Sequence, residues 1–277
     1  NNKELWIGTF GGLIRLSAVK ATLYTNNPLN PESLVDNKTQ TATFDRFGSL
    51  WIGTINGLSR FDQRLKLFNL YREFKWQDTL LNNNVYCIYE DPKQNLWLGT
   101  ISSGILKFDP QTETLTAWPL IKTLGVETRS VRAIMCDHNG QMWLGSRDDG
   151  LFKFYPDQNK FIHVNGKKGF EISSPTIRAV FEDHEGTIWV GTANGLNRYD
   201  QKTDQFSVFR AYPQTPNQNN IYEISESPDG QLLYLACFRG GFQIFNKKTN
   251  SFKIYDIKSP DKKQNSTSYA MCFEFLT

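Results

Sequence analysis

Long apolar runs are missing from this sequence, and nothing in it approaches the ~20 consecutive apolar residues a helix needs to cross a bilayer. The start, Asn1-Asn2-Lys3-Glu4, has neither the charged region nor the apolar region of a signal peptide. Like charges never gather in a block of five, and 31 Lys and Arg against 28 Asp and Glu leave a net charge of only +3, so nucleic-acid binding has little support. Cysteine is scarce. Cys87, Cys136, Cys237 and Cys272 show no CxxC spacing and lie in apolar segments, which reads as buried free thiols, with disulfide or metal roles as the alternative. Histidine is scarcer, with three residues. His138 and His184 differ by 46 and so fill one turn position in successive repeats, whereas a metal site needs ligands converging within about 2 Å of one ion. His163 stands alone. No Ser/His/Asp order, phosphate loop or paired metal carboxylates stand out, so neither a catalytic constellation nor a cofactor is expected.

What is abundant is aromatic and repeated. Hydrophobic residues make up 39% and aromatics 14%, enough for a packed core, while a mean hydropathy of -0.48 leaves a polar exterior. The motif Leu5-Trp6-Ile7-Gly8-Thr9 returns as Leu50-Trp51-Ile52-Gly53-Thr54, Leu96-Trp97-Leu98-Gly99-Thr100, Met142-Trp143-Leu144-Gly145-Ser146, Ile188-Trp189-Val190-Gly191-Thr192 and a degenerate Leu233-Tyr234-Leu235-Ala236-Cys237. The steps between the aromatic positions are 45, 46, 46, 46 and 45 residues. A fixed period of that length with strand-like segments inside it predicts a β-propeller in which each copy is one four-stranded antiparallel blade.

The third copy shows all the parts. Val85-Tyr86-Cys87-Ile88-Tyr89 reads as a first strand, Pro92-Lys93-Gln94-Asn95 as a turn, residues 96–100 as the second strand, 104–109 as the third and 115–118 as a short fourth. Other copies carry Asp and Gly in the first turn, Asp137-His138-Asn139-Gly140 for instance, because Asp caps a turn through its own backbone and Gly accepts positive φ. Gln94, standing where that Gly would be, implies a different turn. The glycines inside the second strand suggest a close backbone approach or a bulge there, and the Trp before each would fill the gap between adjacent blades.

The chain starts at a second strand and ends after Tyr269-Ala270-Met271-Cys272-Phe273-Glu274, which matches a first strand. Pairing of that stretch with residues 5–9 would close six blades; the alternative is part of a seven-bladed ring. Residues 1–277 read as a single propeller domain cut from a longer protein.

The pattern Asp-x-x-Gly-x-Leu-Trp-Ile-Gly-Thr followed by Gly-Leu-x-Arg-Phe-Asp, carried by residues 45–62, 91–109, 137–155 and 183–200, resembles the two-component regulator propeller repeat. That resemblance implies the periplasmic sensor part of a membrane-bound signalling protein, ahead of a transmembrane helix and a histidine kinase or diguanylate cyclase, with polysaccharide breakdown products among the signals such sensors bind. The other domains of the parent protein, and a second copy in a homodimer, are then expected partners.

Near the start of the first strand the equivalent positions are Gln40, Tyr86, Arg132, Arg178, Tyr222 and Tyr269. They fall at the end of the blades where propellers usually bind ligands around the central channel. Tyrosines there can stack on sugar faces and arginines can grip carboxylate or sulfate. With Arg129, Arg147, Asp148, Asp149, Phe238 and Arg239 they form the expected site for an acidic or neutral oligosaccharide-like ligand; packing and pairing at blade interfaces is the plainer reading. Trp76 falls outside the repeat, where it either contacts a ligand or partner or anchors its loop. Two other function classes stay open. One is an interaction scaffold. The other is a glycoside hydrolase or lyase, which would need a Tyr/Glu pair and converging arginines, with Glu73, Glu127, Glu171 and Glu223 as unplaced acids.

Overall fold

The computed structural model describes residues 4–255 apart from 18 and 124. In chain order the strands are β1 (Leu5–Thr9), β2 (Gly12–Leu16), β3 (Ala21–Tyr24), β4 (Thr39–Phe44), β5 (Leu50–Thr54), β6 (Gly57–Asp62), β7 (Leu67–Tyr71), β8 (Phe74–Trp76), β9 (Thr79–Leu81), β10 (Val85–Glu90), β11 (Leu96–Thr100), β12 (Ile105–Asp109), β13 (Thr114–Trp118), β14 (Ile121–Thr123), β15 (Val126–Thr128), β16 (Val131–Cys136), β17 (Met142–Ser146), β18 (Leu151–Tyr155), β19 (Lys160–Val164), β20 (Ile177–Glu182), β21 (Ile188–Thr192), β22 (Gly195–Asp200), β23 (Gln205–Phe209), β24 (Asn220–Glu226), β25 (Leu232–Phe238), β26 (Gly241–Asn246) and β27 (Ser251–Tyr255). Sheets form in strict chain order: β1 to β3, β4 to β7, β10 to β13, β16 to β19, β20 to β23 and β24 to β27, with the two-stranded hairpins β8-β9 and β14-β15 besides. This is an all-β fold, a β-propeller of six antiparallel blades. The strand expected over residues 269–274, with Tyr269 and Cys272, lies outside the described residues. Among the described residues no helix is long and apolar enough to cross a membrane.

Contacts divide the chain into two compact units, residues 1–122 with 127–134, and residues 123–126 with 135 onward. In the first, Trp6 packs on Phe61 with ring centroids 5.0 Å apart, and Trp51 is buried with Leu58, Val85, Leu98 and Phe108. In the second, Trp143 is buried among Ile177, Val190, Tyr199 and Phe206, and Trp189 among Leu233, Leu235 and Phe245. Each of these four indoles therefore fills the space between its own blade and the next, as its spacing implies. Burying one contributes roughly 4–6 kcal/mol of transfer free energy.

The aspartate of the preceding turn fixes each indole. Trp51, Trp97, Trp143 and Trp189 donate Nε1–H to Oδ2 of Asp45, Asp91, Asp137 and Asp183 at 2.8–2.9 Å. The other oxygen, Oδ1, closes the turn, accepting from the Phe47 and Ser49 amides in the first case. The buried Nε1 of Trp6 has no partner among the described residues.

Of two expectations about the strands, the close approach at the glycines is met and the turn at Gln94 needs correction. The bulge sits in the first strand of the blade, opposite the glycine. Register shifts fall between Thr39 and Thr41, Val85 and Cys87, Ile177 and Ala179, and Ile221 and Glu223. The glycines themselves mark a close approach: a Cβ on Gly53 would lie 2.7 Å from Thr41 and 2.9 Å from Val85 of the next blade, and one on Gly191 2.9 Å from Ile221. Gln94 also makes no new turn. Its φ of 70° and its N–H bond to Asp91 O at 2.9 Å match Gly48, Gly140 and Gly186, whose φ values are 78–79°.

Trp76 belongs to the β8-β9 hairpin, an insertion the period does not encode. It packs half-buried against the core that holds Trp51, beside the buried Phe74 and Leu81. Loop anchoring is thus its visible role. Cys87 and Cys237 are free thiols; loss of water pushes the thiol of Cys87 up to about 12 and that of Cys237 higher still, which keeps these two unreactive near neutrality.

Candidate ligand-binding face

The positions singled out from the sequence share a backbone feature. Gln40, Tyr86, Arg178 and Tyr222 are each the extra residue of a bulge, opposed by no residue on the second strand. A bulge re-aims a side chain and ends regular pairing. Here it turns long polar side chains toward the end of the sheet from which the strand enters. Loops after the second strands approach the same end: Gly104 N–H bonds to Arg129 O at 2.7 Å in the first unit, and Gly150 N–H to Pro175 O at 2.8 Å in the second.

In the first unit Arg132 Cζ lies 4.6 Å from the Tyr86 ring centroid, with Nη2 3.5 Å from the phenol oxygen. In the second unit the arrangement extends further. Arg178 Cζ stands 4.6 Å from the Tyr222 ring, that ring is 5.8 Å from Phe238, and Arg239 Cζ is 5.5 Å from the Phe238 ring. The result is a continuous row of cation, ring, ring and cation. Arg239 holds its place through a left-handed backbone, φ 61°.

What these arginines lack is acid. Among the described residues Arg132, Arg178 and Arg239 form no ion pair, and the Nε atoms of Arg132 and Arg178 are buried without a hydrogen-bond partner. A stack on tyrosine satisfies the flat face of a guanidinium and leaves its in-plane donors unused. Of the other expected residues, Arg147 pairs with exposed Asp148 at 3.5 Å, Asp149 N–H bonds to Ser146 Oγ at 2.7 Å, and Arg129 is exposed. The structure joins Arg178, Tyr222, Phe238 and Arg239 directly and leaves Arg147 and Asp149 on an adjoining loop.

The histidines occupy the turn end of the sheets, where each closes a latch. His138 N–H donates to Glu182 Oε2 at 2.7 Å while Nδ1 meets Oε1 at 2.5 Å, and His184 meets Glu226 in the same way at 3.0 and 2.9 Å. Arg46 does this to Glu90 in the first unit at 2.9 and 3.1 Å. Lys247 adds bonds to Glu226 at 2.6 Å and to Asp183 at 3.0 Å. The glutamate grips the residue after the turn aspartate of the preceding blade. Sequence reasoning missed these pairs, although their 42- to 44-residue separation was a usable signal. Shallow grooves of about 300 Å³ also lie at this end, within one blade each.

The sequence profile of the two component regulator propeller matches residues 79–102, 125–148 and 171–194, each shifted by 46 from the last. These segments are two-component regulator propeller repeats. No curated protein matches the chain by sequence. Among solved structures, one similar fold is described as the extracellular domain of the hybrid two-component system BT3049 from B. thetaiotaomicron, with a TM-score of 0.79 and 20% identity over 97% of this chain and 36% of that one. The corresponding domain of BT4673 from the same organism gives 0.69 and 21% identity over 92% and 34%. The chain thus spans about a third of those domains. A catalytically inactive virginiamycin B lyase from Staphylococcus aureus gives 0.69 and 15% over 93% and 82%. At such identities the likeness carries the propeller fold alone, and that fold hosts a lyase as well as regulator propeller repeats.

Proposed function

We propose that this chain is a ligand-sensing extracytoplasmic module of a membrane-bound signal-transduction protein, and that it binds an oligosaccharide-like ligand, acidic or neutral, at the bulged end of its blades. The observation that carries this reading is the row Arg178, Tyr222, Phe238 and Arg239, with two arginines that no carboxylate neutralises among the described residues. Flat rings suit sugar faces, and the free edges of the guanidinium groups suit carboxylate or sulfate oxygens. Tyr86 with Arg132 repeats the chemistry in the first unit, and Tyr269, Arg147 and Asp149 complete the proposed set. Guanidinium groups hold their protons at any ordinary pH, so the row is suited to holding a ligand rather than to moving protons in catalysis. The regulator propeller repeats support the sensing role, and extracellular domains of hybrid two-component systems among the similar folds support a periplasmic location.

Each blade is a stiff, fully bonded sheet, so we assign signalling to a change in how this domain packs on its neighbours. A ligand that met two arrangements with equal affinity would send no signal. A thermal-shift screen of acidic and neutral oligosaccharides finds the ligand, since one that binds only the folded state raises Tm. Calorimetric titration of Arg178→Ala with that ligand should then show a dissociation constant raised about ten-fold or more, one lost charge-assisted contact. Unchanged affinity in both Arg178→Ala and Arg132→Ala removes the site. Small-angle scattering of the whole parent protein that stays identical with and without ligand removes the mechanism.

A further inference from the structure

The turn end of the first unit breaks the repeat in a way the fold does not require. In the second blade Phe47 is 68% exposed and Leu65 57%, and in the first blade Val19 is 94% exposed. The hairpin registers make Leu65 equivalent to Val19 and to Thr112, Gln158, Thr203 and Thr249, while Phe47 corresponds to Lys93, Asn139 and Glu185. Polar residues therefore serve this turn wherever it recurs in the other blades. Phe47 and Leu65, two large apolar side chains held in water on the two turns at this end of one blade, need another explanation.

Cations stand beside Val19 and Leu65 in their own turns. Lys20, Arg64 and Lys66 are exposed and form no ion pair among the described residues. The acid at the head of the Leu65 turn, Asp62, is already occupied, its Oδ1 accepting the Arg64 and Leu65 amides at 2.8 and 2.9 Å. Phe47 and Arg64 line one groove of about 300 Å³ together with Ser49, Phe61 and Asn69. The corresponding groove in the fourth blade is lined by Asn139, Gln141, Tyr155 and Asp157 and has neither the apolar rim nor the basic residues.

We infer that the turn end of the second blade, Phe47 and Leu65 beside Arg64 and Lys66, docks an acidic protein segment bearing aromatic or aliphatic side chains. It lies at the other end of the blades from the proposed ligand site and does not depend on it. Charge selects the partner. A second copy of this chain meeting the patch with its own would set like charge against like, so complementarity requires excess Asp and Glu.

The probe is a short synthetic peptide alternating Glu-Glu with Phe-Leu, titrated against the 277-residue chain at low and moderate salt. Binding should weaken as salt rises. The double variant Phe47→Ser with Leu65→Ser, and separately Arg64→Gln with Lys66→Gln, should each raise the dissociation constant about ten-fold or more. Lys202→Gln with Lys248→Gln, on the same turn of other blades, should leave it unchanged. All of these positions are exposed turns, and an unaltered Tm confirms that each variant folds. The inference is overturned if the peptide does not bind, if the control pair weakens it as much, or if a peptide with Lys for Glu binds as well. It is also overturned if phosphatidylglycerol vesicles bind through Phe47 and Arg64 while the peptide does not, because the patch would then be a membrane contact.

Discussion

Within the second unit the same repeat places a basic side chain at each end of the blade, and the two ends are finished differently. At the turn end His138, His184 and Lys247 each meet a carboxylate within hydrogen-bond distance. At the bulged end Arg178 meets only a ring, with its Nε buried and unpartnered. Where the partner is built in, the pair closes a blade against its neighbour. Where it is missing, a hydrogen-bonding group is held out of water with an unmet need, which a protein retains only if something else meets it. Pairing, more than residue type, separates the structural basic residues from those assigned to a ligand.

The largest expected effect tests the paired end. Asp183 is 4% exposed and accepts the Trp189 indole, the Thr187 amide and the Lys247 ammonium. Asp183→Ala should cost about 3–5 kcal/mol in urea denaturation, because it leaves a buried indole N–H and Lys247 short of acceptors. Arg178→Ala removes no ion pair and should cost about 1 kcal/mol or less of stability while weakening the ligand. If Arg178→Ala destabilised the chain as much as Asp183→Ala, the bulged arginine would be structural and the contrast would fail.

Much of this was legible in the sequence, for one physical reason: a blade cannot bury its faces alone, so the residues that face the next blade recur with the period. Trp6, Trp51, Trp97, Trp143 and Trp189 announce both the fold and their own burial. The latches were hidden because Glu182 and Glu226 act on the turn one repeat earlier, across a separation that single-sequence patterns do not weigh. The hairpin carrying Trp76 was hidden because insertions carry no period. Gln40, Tyr86, Arg178 and Tyr222 were aligned with one another by counting, but their shared bulge was not legible, since register depends on the partner strand.

Gln94 misled for a related reason. The turn it occupies is held by Asp91, which closes it through the Asn95 amide whatever residue stands at the left-handed position. The strain is simply tolerated. Gln94→Gly should therefore stabilise the chain by about 0.5–1 kcal/mol in the same denaturation assay, somewhat offset by loss of the Gln111 amide bond at 2.9 Å. A destabilised variant would mean that this side-chain bond, rather than the backbone, governs the turn.

The smallest effect separates two versions of one latch. Arg46 grips Glu90 with a permanent charge, whereas His138 grips Glu182 with one that titrates. The hydrogen bond that the His138 ring donates to Glu182, then the Glu182 charge, with Asp137 adding a little, raises the His138 pKa above its ordinary 6.5. A group whose pKa is higher folded than unfolded favours folding while protonated. Its contribution is fully present below 6.5 and is lost as pH rises through the raised value. Stability measured from acid to alkaline pH should thus decline slightly across that window in the native chain. The decline should vanish in Glu182→Gln, which keeps an acceptor oxygen but no charge, and NMR titration of the His138 ring should show its pKa falling back in that variant. Arg46 contributes nothing to this slope. If the slope survived Glu182→Gln, the proton would have to be stabilised elsewhere, and the two latches would not be versions of the same device.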